Sequence, residues 1–260
     1  MITQPFIGAS YLLRGYLMLL KPGIRGFVVL PMAINLIVFS LLIWLGIFQF
    51  DILLEYVMGN LPEWLLWLEW LLWPLFLVAF LLVGFTFSLH IALLIAAPFN
   101  GVLSEAVERQ LDPTSTLPES SWAEIAKGVA PAIISEAGKF GYFLVRALPL
   151  TVLFFIPGVN IFAPAIWAIF GAWMLALEYS DYPLANHGML FKESKEIVKE
   201  KRFVAFGFGG VSLFCTLIPI INFFAMPAAV AGATIMYVEQ LKGSPKFARS
   251  ETSRDTKAIK

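Results

Sequence analysis

Residues 203–238 decide the fold, and they read FVAFGFGGVSLFCTLIPIINFFAMPAAVAGATIMYV. These 36 residues carry no charged side chain, and the sequence Ile-Pro-Ile-Ile-Asn at 218–222 interrupts them near the middle. Proline lacks the amide donor that a helix interior needs and clashes with the preceding turn, whereas asparagine tolerates the turn that follows. The stretch therefore predicts a helical hairpin in a membrane rather than one long helix.

A second uncharged tract, residues 147–177, is interrupted in the same way at 156–160. The two interruptions align as IPGVNIFA and IPIINFFA, 62 residues apart. The arms have about 10 to 16 residues each, or roughly 15–24 Å of helix, which is less than the ~30 Å hydrocarbon core. We expect both hairpins to be partly inserted from the cytoplasmic side, with full crossings of a thinned bilayer as the alternative. Paired interrupted segments of this kind indicate the working region of a transporter.

Residues 26–50 and 70–101 form two further uncharged tracts, each long enough to cross the membrane once as a helix. Of the 260 residues, 59% are hydrophobic and 14% are charged, against about half and about a quarter in soluble domains. This composition excludes an ordinary soluble enzyme and a disordered chain. The predicted fold class is an all-α integral membrane protein with two transmembrane helices, two hairpins and amphipathic flanking helices.

The distribution of charge predicts the orientation. All 18 Lys and Arg residues lie at or before Arg25, or at or after Arg109, and the connection at 51–69 carries only acidic charges. Basic residues stay on the cytoplasmic side, so we expect both termini to be cytoplasmic. We expect residues 1–243 to form a single membrane domain in contact with lipid, and residues 244–260 to form a flexible cytoplasmic tail. Since the formal net charge is zero, we expect no nucleic-acid partner.

The start of the first span holds a candidate anion site formed by Gly23, Ile24, Arg25 and Gly26. Glycine lets the backbone approach a ligand closely, and amides at a helix start point at an anion. Arg25 adds a charged fork that suits tetrahedral oxyanions such as sulfate or phosphate. The alternative is an arginine that merely lies beside lipid headgroups.

A second polar group occupies the second span and its cytoplasmic end. Glu105 and Glu108 share a helix face at three-residue spacing, and Glu105 reaches Arg109 at four. We interpret these residues as a polar network lining or gating a conduction path, the alternative being a solvated helix extension with a routine ion pair. His90 could bind a proton or an anion, or be a neutral histidine bonded to a neighbouring helix. The full set is His90, Asn100, Glu105, Glu108 and Arg109.

We expect no metal site, no cofactor and no enzymatic activity. Cys215 is the sole cysteine and lies in an apolar run, and the chain has two histidines, which is too few ligands for a typical zinc site. The sequence contains no Walker lysine loop, zinc-protease histidine pair or serine elbow.

Four segments, in order along the chain, resemble the CysZ sulfate permeases. They are residues 20–31 (LKPGIRGFVVLP), 97–100 (APFN), 105–108 (EAVE) and 179–188 (YSDYPLANHG), and the similarity extends to about Gly243. The resemblance implies sulfate uptake across the bacterial inner membrane for cysteine synthesis, assembly into homo-oligomers, and a sulfate site on residues 23–26. Some members of that family have a second arginine where this chain has Gly26, which leaves Arg25 as the only side-chain charge of the site. The resemblance also implies that Glu105, Glu108 and Arg109 belong to a polar core.

Two other functions are compatible with the sequence. A non-transporting membrane scaffold or assembly factor with incidental anion binding predicts that sulfate uptake does not depend on Arg25. An intramembrane enzyme acting on lipid predicts turnover that depends on His90 or Glu105. We favour a transporter or channel, and because two spans and two shallow hairpins cannot enclose a sealed aqueous path, we expect several copies to assemble.

Overall fold

The computed structural model describes residues 3–60, 62, 67, 69–115 and 122–258, with side chains except at 35, 69, 80–98, 122–132, 220 and 253–258. Across these residues the regular structure is entirely helical, which confirms the predicted fold class. The helices are α1 (Gln4–Leu19), α2 (Gly26–Gly59), α3 (Glu69–Leu111), α4 (Trp122–Val152), α5 (Ala163–Asn186), α6 (Phe191–Glu200), α7 (Arg202–Thr216), α8 (Pro219–Met236) and α9 (Pro245–Ala258). A 3₁₀ turn (Leu153–Phe155) follows α4, and a π-helical turn (Tyr237–Leu241) follows α8.

The chain divides into two compact units, Val29–Phe99 and the combination of Met1–Val28 with Asn100–Lys260. In the first unit, most apolar side chains of α2 are exposed, as lipid-facing positions are. Its aromatic contacts include Phe50, which stacks on Phe76 at a centroid distance of 3.8 Å and meets Trp73 edge-on at 4.7 Å. The single membrane domain stays a prediction.

Among the described residues, three helical stretches are long and apolar enough to cross a membrane: Gly26–Gly59, Ile133–Phe155 and Ile221–Leu241. The first contains the predicted span at 26–50 and continues beyond it, because Asp51 and Glu55 end the apolar tract without ending the helix. α3 likewise contains the predicted span at 70–101, although most side chains of that span lie outside the described set. The protein is membrane-embedded.

Both helix breaks lie where the prolines predict them. Ile156 and Ile218, each preceding a proline, adopt extended backbone conformations with φ/ψ of −93°/112° and −102°/108°. The amides of Asn160 and Asn222 then donate back to the carbonyls of these isoleucines at 3.0 and 2.7 Å. The repeat seen in the sequence is therefore also a repeat of backbone geometry. The two breaks differ at the residue after the proline, where Gly158 of the first break adopts a φ of +83° in a longer turn.

The helices beside the first break are longer than the uncharged tract that predicted them. α4 begins at Trp122 and α5 ends at Asn186, well outside residues 147–177. Within this extension Lys139 is buried on α4, where acidic residues of α4 and α5 neutralise its charge. The partial insertion of the hairpins stays a prediction.

The larger unit has its core where α1, α5, α7 and α8 pack together. Small residues bring the backbones into contact, as they do between membrane helices. A Cβ added at Gly8 or Gly15 of α1 would lie 2.0 Å from the carbonyl oxygen of Val204 or Ala228, respectively. The opposite face of α1 exposes apolar side chains, among them Leu13 and Leu17. The segment predicted as a flexible tail contains α9, and its flexibility stays a prediction.

Candidate functional site

The residues proposed to bind an anion form a tight turn between α1 and α2, called here the 23–26 turn. Gly23 has a φ of +88°, in the left-handed region that side chains with a Cβ disfavour. Ile24 is completely buried and fixes the turn to the core. The amides of Ile24 and Arg25 both donate to the carbonyl of Lys21, at 3.2 and 3.3 Å. Two of the four backbone amides of the turn are therefore already used.

Groups that could bind an anion remain on the exposed side of the 23–26 turn. No backbone hydrogen bond between described residues uses the amides of Gly23 and Gly26. The Arg25 side chain is exposed, and no carboxylate of the described part of the chain pairs with it. One guanidinium and two glycine amides are thus available at the first turn of a membrane-spanning helix.

Gln110, near the end of α3, joins the 23–26 turn to the second group of candidate residues. Its Nε2 donates to the carbonyl of Pro22 at 3.1 Å, and a Cβ on Gly23 would lie 3.3 Å from the same nitrogen. Sequence reasoning missed Gln110, whose only signal was its position directly after Arg109. The contact places the C-terminal end of α3 against the candidate anion site.

Glu105 and Arg109 form the ion pair that their four-residue spacing predicts. Glu105 is only 6% exposed and Glu108 is completely buried. A solvated helical extension, the alternative considered for this segment, does not describe two buried carboxylates. Both residues lie on the face of α3 that is turned into the larger unit.

Glu108 takes hydrogen bonds from two other parts of the chain. The Nε2 of His187, which follows α5, lies 2.9 and 3.1 Å from its two carboxylate oxygens. Ser115 donates its hydroxyl to Glu108 at 2.9 Å. The imidazole of His187 packs between the rings of Tyr237 and Phe247, at centroid distances of 5.2 and 5.7 Å. Sequence reasoning missed this partner, although His187 belongs to the fourth segment of the family resemblance.

Asn100 continues the buried polar face of α3 by donating its Nδ2 to the hydroxyl of Tyr182 at 3.4 Å. Ser104 shares a 2.8 Å hydrogen bond with Thr234 on α8. The structure therefore brings Asn100, Glu105, Glu108 and Arg109 together on one polar stretch of α3. His90 lies on the same helix, but its side chain is outside the described residues.

Each broken tract ends in an acidic residue that is paired with a base. Glu178 lies 3.1 Å from the Nζ of Lys139 on α4, and Asp181 lies 3.3 Å from it. Glu239 accepts a hydrogen bond from each terminal nitrogen of the Arg14 guanidinium on α1, at 2.5 and 2.9 Å. The bidentate pair joins α1 to the π-helical turn that follows α8.

Comparison with known proteins gives one consistent result. The sequence model of the family described as "Sulfate transporter CysZ/Etoposide-induced protein 2.4" matches residues 11–227. The protein named "Sulfate transporter CysZ" of Pseudomonas fluorescens strain Pf0-1 is 45% identical over 234 residues, covering 90% of this chain and 93% of the relative. Its namesakes in Pseudomonas aeruginosa PAO1 and Pseudomonas syringae pv. tomato are each 44% identical, over 90% of this chain and 95% and 92% of their own. Because the family model matches residues 11–227 and these relatives are 44–45% identical over 90% of its length, the chain belongs to the Sulfate transporter CysZ/Etoposide-induced protein 2.4 family.

Proposed function

We propose that this protein takes up sulfate across the bacterial inner membrane, as a transporter or channel, and supplies sulfur for cysteine biosynthesis. Each of the three relatives compared above, which match over 90% of the chain, is named a sulfate transporter, and this supports transport rather than enzymatic activity. In this proposal both termini are cytoplasmic, the protein works as a homo-oligomer in contact with lipid, and no cofactor takes part.

The observation that supports the proposal is the exposed guanidinium of Arg25, which pairs with no carboxylate of the described residues, in the same turn as the amides of Gly23 and Gly26. A charge at the edge of the hydrocarbon core interacts with an opposite charge more strongly than it would in water. Arg25 would bind two sulfate oxygens through its planar fork, and the glycine amides would donate to the others. Because Ile24 is buried and Gly23 holds the chain in its left-handed conformation, the turn presents these donors without further ordering.

We infer a different role for the polar stretch of α3. Its buried carboxylates repel a dianion, so Glu105 and Glu108 do not suit direct sulfate binding. They suit a gate, because each is held by a partner whose release would change the local charge: Arg109 for Glu105 and His187 for Glu108. Asn100, and His90 further along the helix, would line the same path.

Uptake of radiolabelled sulfate into proteoliposomes tests the proposal. Arg25→Ala is expected to slow uptake at low sulfate concentration by roughly tenfold or more, because it removes a charge-assisted hydrogen bond. Arg25→Lys keeps the charge but loses the fork, so its uptake should lie between wild type and Arg25→Ala. Arg202→Ala removes an exposed arginine at the start of α7 and serves as the matched control with wild-type uptake.

The possible results distinguish failure of the proposed sulfate site from failure of the proposed transport function. Wild-type uptake in Arg25→Ala would show that the 23–26 turn is not the sulfate site. Absence of uptake in correctly folded wild-type protein would reject transport and favour the membrane scaffold. Competition by phosphate as strong as that by unlabelled sulfate would show a general oxyanion transporter.

A further inference from the structure

A second cationic site lies away from the 23–26 turn, between α4 and α6. A cavity of about 310 Å³ opens there, lined among others by Ile134, Gly138, Tyr142, Phe191 and Lys195. These residues belong to neither the candidate anion site nor the polar stretch of α3. Proposed sulfate transport makes no use of the cavity.

Two cations line this cavity, Lys192 and Lys195, and a third, Arg146, lies over the ring of the lining residue Tyr142. The guanidinium of Arg146 lies 3.6 Å from the centroid of the Tyr142 ring, and the Nζ of Lys195 lies 5.1 Å from it. Within the described part of the chain no carboxylate lies within ion-pair distance of these three groups. Among the described residues, no ion pair therefore neutralises these three cations.

Two of the three acidic residues of α6 are committed to other partners. Glu196 binds Lys199 at 2.6 Å and Lys246 at 3.1 Å. Glu193 accepts the backbone amide of Leu190 at 3.0 Å, at the start of α6. Burial lowers the pKa of the Lys195 ammonium, and the nearby cations Lys199, Arg146 and Lys192 lower it further against the opposing effect of Glu196. An anion entering the cavity would relieve this repulsion.

The walls of the cavity are apolar, and they continue into a membrane span. Phe191 is buried at the base, whereas the side chain of Ile134 is 63% exposed at the rim. Gly138 leaves the space between them open, since a Cβ there would reach the Phe191 ring at 3.4 Å. The same helix then presents exposed apolar residues over Ile133–Phe155, such as Leu148. A ligand bound here would contact both cations and hydrocarbon-compatible surface.

We propose that the cavity between α4 and α6 binds an anionic phospholipid. Arg146, Lys192 and Lys195 hold its phosphate. The part of the acyl chain nearest the headgroup packs on Ile134, Gly138 and Phe191. Basic pockets between helices at the cytoplasmic face of a membrane are suited to such headgroups. A free sulfate or phosphate ion would use only the cations and leave the apolar walls of the cavity unoccupied. The amphipathic shape of the site favours the lipid.

The test measures lipid binding to the full-length purified protein in detergent, by native mass spectrometry. The probes are short-chain phosphatidylglycerol, phosphatidylcholine of the same chain length, and glycerol phosphate. Phosphatidylglycerol should bind wild type more tightly than phosphatidylcholine, and glycerol phosphate should fail to displace it. Arg146→Gln/Lys195→Gln should weaken phosphatidylglycerol binding by about 30-fold, since each basic residue near an anionic lipid contributes a factor of about five. Arg202→Gln/Arg249→Gln removes the same charge from other exposed positions and should bind as wild type does.

A second pair of variants tests the apolar half of the site without changing its charge. Gly138→Leu fills the space beside Phe191 and should reduce phosphatidylglycerol binding. Gly141→Leu, one turn along the same helix with nothing within 4 Å of its Cβ position, should not. Equal binding by the two double-cation variants, or by the two leucine variants, would overturn the proposal. Displacement of the lipid by glycerol phosphate would instead assign the cavity to free oxyanions.

Discussion

Replacing Gly15 of α1 by alanine should destabilise the protein, because two helix backbones meet at this residue. The new Cβ would lie 2.0 Å from the carbonyl oxygen of Ala228 and 2.8 Å from the amide nitrogen of Gly232. Ordinary van der Waals contact begins at 3.4 Å. α1 must therefore move away from α8 by about 1.4 Å, a gap that forfeits more than a quarter of the dispersion energy across the interface.

The size of the loss in unfolding free energy follows from comparing Gly15 with Gly141. Gly141 on α4 has nothing within 4 Å of its Cβ position, so Gly141→Ala should gain only the helix propensity of alanine, about 1 kcal/mol. Gly15→Ala gains the same propensity but incurs an overpacking cost of about 1–3 kcal/mol. We expect the upper end of that range, because the atoms in the way are backbone atoms that cannot change rotamer. A difference of about 3 kcal/mol separates the melting midpoints by roughly 6–12 °C in a chain of this size.

Thermal unfolding in detergent, followed by the loss of the monodisperse peak in size-exclusion chromatography, measures this difference. Both variants are compared with wild type in the same detergent and lipid. Equal midpoints for Gly15→Ala and Gly141→Ala would refute the close contact between α1 and α8. A lower midpoint for Gly141→Ala than for wild type would refute the argument from helix propensity.

Two further predictions concern the ion pairs outside the candidate anion site. Lys139→Met leaves the buried Asp181 carboxylate without its base and should lower the free energy of unfolding by about 3 kcal/mol. Thermal unfolding measures this loss, and a wild-type midpoint would contradict it. The hydrogen bond from Lys242 lowers the pKa of Asp112 to about 2, from an ordinary value of 3.8. Because the folded-state pKa is the lower one, this stabilisation is complete above pH 3.8 and disappears as the pH falls towards 2. Lys242→Met should therefore make stability fall less steeply in that range, and identical pH profiles would contradict the pairing.

The helix breaks could be predicted from the sequence because their cause is local. A proline removes a hydrogen bond from its own helix and restricts the residue before it, so Ile156 and Ile218 become extended whatever surrounds them. The ion pair between Glu105 and Arg109 is also local, as it spans one helical turn. Such features need no knowledge of the rest of the fold.

Features that depend on distant pairing could not be predicted from one sequence. Glu108 and His187 are 79 residues apart, and nothing in the sequence around either residue indicates that they interact. Lys139 lies outside the uncharged tract at 147–177, and nothing near it in sequence indicates that Glu178 and Asp181 neutralise it within the fold. The cavity between α4 and α6 has the same origin, because its cations come from separate helices.

The bidentate pair between Arg14 and Glu239 joins residues 225 positions apart, and this separation has a consequence for biosynthesis. α1 leaves the ribosome well before its packing partners α7 and α8. At about 5–20 residues per second, the interval is on the order of ten to forty-five seconds. Throughout that time the glycine face of α1 lacks the two helices against which it packs in the folded protein. A product truncated before α7 would lack the Arg14–Glu239 pair, so synthesis through Glu239 is the step that fixes α1 in place.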